Sequence, residues 1–235
     1  MSIYEPIKIF DSNNTFLLDL DRTSYLVNRV KNHSVLHVGC SDYPITQERL
    51  ENNNLLHVHL MKTTAYLLGI DSSIEGVNIL KEKGINNIIL MDAENIILDE
   101  KFDFIIAGDV VEHMNNPGRF LEKVGDLLNR GGRLIVGVPN AYSFNILKYV
   151  ISGYEPTHKD HTYFFSVKTL SELCSRYGLL PVRLVFTAQP VSTGNRYVSK
   201  IRDFLIGLQS KLAPSFIMEF MQIEHVDRTK YYEWK

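Results

Sequence analysis

Four apolar runs in the first half of the chain each stop at a residue suited to touching a ligand. Val35-Leu36-His37-Val38 stops at Gly39, and Tyr66–Ile70 stops at Asp71 followed by Ser72 and Ser73. Asn87–Met91 stops at Asp92, followed by Ala93 and Glu94, and Phe102–Ala107 stops at Gly108-Asp109. A glycine lets backbone come close to a ligand, and a carboxylate can accept from both hydroxyls of a ribose or from an exocyclic amine. Any single acid of this set reads equally well as a turn former. The ordered series does not. Histidines add proton chemistry, because imidazole titrates near neutral pH. His113 follows the fourth run, and His158 and His161 sit in the polar stretch Thr157-His158-Lys159-Asp160-His161-Thr162.

The elements that must position these residues alternate between short apolar runs and amphipathic stretches, the rhythm of a parallel sheet covered by helices. Further strands are expected at Leu134–Val138, Val182–Thr187 and Phe216–Glu224. Helices are expected over Thr46–Asn53 and over Ser73–Lys83, the latter capped at Ser72 or Ser73 and stopped by Gly84. Pro117–Leu128 opens with proline in its first turn and ends before Gly131-Gly132. Tyr142–Ile151 and Ser166–Tyr177 are two more helices, with a loop over Ser152–Tyr163 between them. Tyr197–Leu212 reads as an amphipathic helix packing on the sheet, with a lid or a homodimer face as its other uses. In an open α/β sheet, ligands sit outside the carboxyl ends of the strands where the strand order reverses, so the strand-end acids converge on one crevice.

Composition narrows the function classes. At 235 residues the chain fits one domain, 1–235, with a core of about 30–190 and a C-terminal helix and strand over 191–235. A net charge of -2 offers no basic surface for nucleic acid. Cys40 and Cys174 have neither disulfide-framework nor zinc spacing. No run is long and apolar enough for a membrane span, and Met1-Ser2-Ile3-Tyr4-Glu5-Pro6 lacks a basic region leading into an apolar one, so a cytoplasmic protein is expected.

As an ordered series, VLHVGC, LLGIDSS, ILMDAENI, FDFIIAGDVVEHM and LLNRGGRLIVGVPN resemble the class I S-adenosylmethionine-dependent methyltransferases, closely over Ser34 to Asn140 and more loosely beyond. The resemblance implies a Rossmann-like, doubly wound, seven-stranded and mostly parallel sheet with a last antiparallel strand. It implies S-adenosylmethionine as cofactor, with Gly39 and Cys40 in the first loop beside its methionine part and Asp71 and Ser72 at the ribose. Asp92 would take the adenine amino group, the Ala93 N–H would meet a ring nitrogen, and Gly108 with Asp109 would sit near the amino acid end. The first motif departs from the family: His37 stands where an acid is usual, and Ser41, Asp42 and Tyr43 stand where further glycines are usual, before Pro44. His37 reads as a buried strand histidine bonded to backbone, with a water-mediated cofactor contact as the alternative. His57 and His59 read as scaffold residues, with a contact from one of them to the cofactor carboxylate as the alternative.

Methyl transfer from a sulfonium is an in-line displacement, and a hydroxyl acceptor also needs its proton removed. His113, His161 and His158 are the candidate bases. A histidine-then-aromatic-then-serine segment like the one after His161 recurs in relatives that act on small molecules and sugars. Asp109, Glu112 and His113 also resemble the acid-x-x-Glu-His run with which ubiquinone-pathway O-methyltransferases hold a divalent metal. Glu112 has a simpler reading as a cap for the helix that starts near Pro117. Tyr142, Tyr149, Tyr154, Tyr163, Phe164 and Phe165 suit a sugar or ring-bearing acceptor, though core packing is the plainer reading of such residues. The expectation is therefore an enzyme that methylates a small molecule or glycan precursor, on oxygen, with a histidine base. The alternatives are an N- or C-methyltransferase, or a non-catalytic subunit that binds the cofactor. A nicotinamide dehydrogenase is disfavoured, because the first turn lacks the spaced glycines that cradle a pyrophosphate.

Overall fold

The computed structural model describes residues 15–17, 21–156, 158–187 and 210–222. The described residues run through β1 (Thr15–Leu17), α1 (Arg22–Arg29), β2 (Ser34–Val38), α2 (Thr46–Glu51), α3 (Leu56–Met61) and β3 (Tyr66–Asp71). They continue through α4 (Ile74–Glu82), β4 (Ile88–Leu90), β5 (Phe102–Gly108), α5 (Pro117–Leu127) and β6 (Leu128–Pro139). They close with α6 (Phe144–Ile151), α7 (Val167–Ser175), β7 (Leu179–Thr187) and β8 (Ser215–Gln222).

Among the described residues one eight-stranded sheet results, in the order β1-β7-β8-β6-β5-β2-β3-β4. Only β8 runs against its neighbours. Seven of the strands are the expected ones, and β1 adds an eighth at the edge by pairing parallel with β7. From β2 the chain builds outward through β3 and β4, then crosses to β5 on the other side. The order reverses between β2 and β5, which is where such a sheet opens a crevice.

Side-chain alternation sends β2 and β5 into two cores at once. Leu36, Val38, Ile105 and Ala107 join the cluster under α5 and α7, which contribute Phe120, Val124, Leu170 and Cys174. Val35, Phe104 and Ile106 join a second cluster on the opposite face, with Tyr25 and Leu26 of α1. Burial on both faces explains why these strands are near-continuous apolar runs. α5 starts with Pro117 at its first position, where the missing N–H costs nothing, as expected.

Three details add to or depart from the sequence pattern, and one expected element lies outside the described residues. α1, which the hydrophobic pattern leaves unmarked, is started by Asp21, whose carboxylate accepts from the Ser24 N–H. Leu56–Met61 is helical, so His57 and His59 diverge: His57 is buried, while His59 Nε2 meets the Asn53 carbonyl at 2.8 Å. α5 ends at Leu127 and the next strand begins at once, so Gly131 and Gly132 lie inside a β6 that starts well before Leu134. The helix expected over 197–212 lies outside the described residues up to 209, and Ser210–Leu212 form a single 3-10 turn. Among the described residues no helix is long and apolar enough to cross a membrane.

Candidate active site

At the end of β2 the backbone turns through Gly39 with a φ of 71°, a conformation that costs an L side chain about 1–2 kcal/mol. Its N–H donates to the Ile70 carbonyl at 2.9 Å, which ties the first loop to β3. A Cβ at this position would lie 2.4 Å from Val110 Cγ2, so the loop and the exit of β5 touch where only a hydrogen fits. Asp71, the last residue of β3, anchors the loop: Oδ2 accepts from the Ser41 N–H at 2.8 Å and Oδ1 from the Ser73 N–H at 2.9 Å. Each oxygen keeps a second lone pair. Ser41 replaces a glycine without blocking the loop because Gly76 on α4 makes room for it, a Cβ there meeting Ser41 Oγ at 2.3 Å.

A cleft of about 320 Å³ opens between these strand ends. Asp71, Ser72, Asp92 and Ala93 line it together with Gly39 and His113, and Val38, Ile70 and Met91 supply apolar wall. Asp92 accepts from the Glu94 N–H at 2.9 Å and from Asn95 Nδ2 at 2.7 Å, starting a short 3-10 turn. Glu94 clamps the opposite wall, its two oxygens taking the N–H groups of Asn115 and Asn116 at 2.7 and 2.9 Å. The acid at the approach to α5 is therefore Glu94, and Glu112 does not cap that helix. Cys40 is turned away from the cleft into a small core with Leu55, Val77 and Leu80, where burial pushes its thiol above the ordinary range. Only its backbone is left to face a ligand.

Gly108 and Asp109 line a second hollow, of about 280 Å³, rather than the first. Arg22 of α1 reaches across it and pairs with Asp109. A Cβ on Gly108 or on its β6 neighbour Gly137 would lie 2.6 or 2.5 Å from Arg22 Nη2, so two adjacent glycines clear the bed for this guanidinium. Sequence reading missed Arg22; the signal was the pair of glycines closing two neighbouring strands. His37 lines the same hollow, and its Nδ1 lies 3.2 Å from His57 Nδ1, so its partner is a second imidazole rather than backbone. Burial holds His37 well below its usual value, helped by His57 and Arg22. Burial also holds His57 down, to about 4, against an opposing contribution from Asn87.

Glu112, 1 % exposed, is pushed up to about 8 by burial and then by the charge of Asp109, so its carboxyl is largely protonated at neutral pH. Its carbonyl accepts from the Thr162 N–H at 2.9 Å and from Thr162 Oγ1 at 3.0 Å. Thr162 Oγ1 also lies 2.8 Å from the Met114 carbonyl, so its one hydrogen is shared between the two carbonyls and the 158–165 segment hangs on the exit of β5. That attachment brings the three predicted histidines together. Ring centroids lie 4.6 Å apart for His113 and His161, 5.2 Å for His158 and His161, and 5.9 Å for His113 and His158. Burial, then the His113 and His158 rings, lowers the His161 pKa. The acid-x-x-Glu-His run does not assemble in the same way: Asp109 is engaged by Arg22 and Glu112 is sunk in the interior. Of the aromatic residues, Phe165 is core, whereas Tyr142, Tyr149, Tyr154, Tyr163 and Phe164 are exposed.

A switch-point crevice with acids closing two adjacent strands defines an α/β protein built for a nucleoside-bearing cofactor. The sequence profile of the Methyltransferase domain family matches residues 23–184, and the chain belongs to that family. Its motif series is that of the class I S-adenosylmethionine-dependent methyltransferases, which take their methyl group from S-adenosylmethionine. An uncharacterized protein of Methanocaldococcus jannaschii is 28% identical over 120 residues, a stretch spanning 51% of this chain but only 58% of that relative. A ubiquinone biosynthesis O-methyltransferase of Coxiella burnetii is 25% identical over 177 residues, 69% of this chain and 71% of the relative. The fold is shared with a SAM-dependent methyltransferase of Archaeoglobus fulgidus at a TM-score of 0.56 and 16% identity, covering 85% of this chain and 90% of that one. It is shared too with the magnesium protoporphyrin IX methyltransferase of Synechocystis bound to S-adenosylhomocysteine, at 0.55 and 17%, covering 86% and 80%.

Proposed function

We propose that this enzyme methylates a hydroxyl of a small molecule or glycan precursor, with the histidine rim handling the proton. In this reading the ribose diol bonds to the lone pairs of Asp71 that Ser41 and Ser73 leave open. The adenine amino group meets Asp92, a ring nitrogen meets the Ala93 N–H, and Ser72 borders the ribose. Gly39 and the Cys40 backbone lie along the methionine part. The amino acid end extends past Gly39 toward the second hollow, where Gly108 and the Arg22–Asp109 pair stand. As the acceptor oxygen bonds to the methyl carbon and the carbon–sulfur bond breaks, His113 or His161 takes the hydroxyl proton and S-adenosylhomocysteine leaves.

One observation carries the reading: His113 lines the same cleft as Asp71 and Asp92 and touches His161, so a proton acceptor stands at the mouth of the cofactor cleft. The O-methyltransferase named among the relatives favours oxygen over nitrogen. The test is formation of S-adenosylhomocysteine and methylated product with phenolic, sugar-hydroxyl and amine acceptors. Turnover with hydroxyls that collapses in His113→Ala or His161→Ala supports the proposal. Turnover with amines alone, or cofactor binding without any turnover, sinks it. Asp71→Asn is expected to weaken S-adenosylmethionine binding about 10–100-fold by calorimetry, the loss of charge-assisted bonds worth about 1.5–3 kcal/mol.

A further inference from the structure

A proton acceptor needs one imidazole, and the rim holds three. One ligand nitrogen from each of His113, His158 and His161 lies within 4.8 Å of the others, the set that meets this criterion among the described residues. A tetrahedral ion with nitrogen ligands at about 2.0–2.1 Å needs those atoms about 3.3 Å apart, a closure that side-chain rotation supplies. The outer contact of His113 has the form that orients a metal-bound histidine. His113 Nδ1 lies 3.2 Å from the Asp160 carbonyl, which can only accept, so Nδ1 is the donor and Nε2 is the nitrogen that would take an ion. The Asp160 N–H donates to His158 Nδ1 at 3.4 Å, with the carboxylate of the same residue 3.8 Å away, so one residue contacts two of the rings. Thr162 fixes the backbone beside His161 to the carbonyls of Glu112 and Met114, on either side of His113.

We infer that His113, His158 and His161 form a binding site for one divalent transition-metal ion at the mouth of the methyl-donor cleft. An all-imidazole set selects the zinc, cobalt and nickel class, whereas magnesium and calcium want oxygen ligands. Three protein ligands leave a position open, the pattern of catalytic rather than structural zinc sites. His113 belongs to both the triad and the cleft wall, so that position borders the space where the acceptor would lie. The ion's use, polarising an acceptor hydroxyl, rests on the function proposed above; the site itself does not.

The test is a Co²⁺ titration of the tag-free, chelator-stripped chain followed by visible absorption. A band that saturates at one ion per chain, is bleached by Zn²⁺ and is untouched by Mg²⁺ is the expected result. His113→Gln, His158→Gln and His161→Gln are each expected to weaken Co²⁺ binding at least about tenfold, with circular dichroism and the metal-free melting temperature reporting the fold. No saturable band, equal competition by Mg²⁺, or folded variants that all bind like the parent overturn the site. Saturable Co²⁺ binding without hydroxyl methylation keeps the site and removes the proposed function. Hydroxyl methylation by a chain that binds no Co²⁺ keeps the function, with a free imidazole as base, and removes the site.

Discussion

Gly39→Ala tests whether the first loop is held by geometry at one carbon atom. The new methyl group faces two separate penalties. A φ of 71° costs an alanine about 1–2 kcal/mol relative to glycine. The Cβ also falls 2.4 Å from Val110 Cγ2, about an ångström inside normal carbon contact, and relieving such overpacking costs about 1–3 kcal/mol. The single variant is expected to lose about 2–5 kcal/mol in urea unfolding. Calorimetry should show weakened S-adenosylmethionine binding as well, since relief moves a wall of the cleft. Val110→Ala removes Cγ2 while leaving a Cβ at 3.7 Å, an ordinary contact. Gly39→Ala/Val110→Ala should therefore recover the steric share relative to Val110→Ala alone and retain only the backbone share of about 1–2 kcal/mol. If Gly39→Ala costs less than about 0.5 kcal/mol, or if Val110→Ala rescues nothing, the loop and the exit of β5 are not in the contact argued here.

Two further outcomes concern buried charge. His57 has its folded-state pKa lowered from 6.5 to about 4 and His37 is lowered too, so the folded chain disfavours protons that the unfolded chain takes up. Stability from this source is intact above about pH 6.5 and falls as pH drops; the His57 share, about 3 kcal/mol, is lost by about pH 4. Urea midpoints from pH 7.5 to 5 should fall less steeply for His57→Gln than for the parent; equal slopes refute the assignment. Glu219→Gln removes the carboxylate that takes Arg29 Nε at 2.8 Å, Arg29 Nη2 at 2.9 Å and Tyr25 Oη at 2.9 Å while 1 % exposed. Leaving those donors without their anion is expected to cost about 3–5 kcal/mol, and a loss under about 1 kcal/mol in denaturant unfolding refutes it.

The strands and the acids at their ends are legible because period and punctuation are local properties. Leu36 and Val38 face one core and Val35 the other, and Asp71 can be located by counting from the run before it. The rest depends on partners distant in sequence. Arg22 means little as a residue until Gly108 and Gly137 are seen side by side in neighbouring strands. His57 and His59 cannot be assigned a face before the segment is known to be helical. Glu112 reads as a cap or a ligand in the sequence, yet its surroundings are set by tertiary burial, and Glu94 makes the contacts near α5 instead. The histidine cluster is half visible: the three residues stand out by type, but Thr162 on the Glu112 and Met114 carbonyls is what draws the two segments together.

The position of β8 bears on how the polypeptide is made. Taken out of the order β1-β7-β8-β6-β5-β2-β3-β4, it leaves a two-stranded ribbon, β1 with β7, and a separate five-stranded slab. A chain emerging from the ribosome has both pieces before it has residues 215–222, and each then presents a bare strand edge. Tyr25 and Arg29, made almost two hundred residues earlier, wait as long for Glu219. Unpaired edges of this kind recruit other strands, including those of sibling chains. Nascent chains stalled before residue 215 should accordingly need chaperone protection, and release of the last strand is the event that seals the two halves into one body.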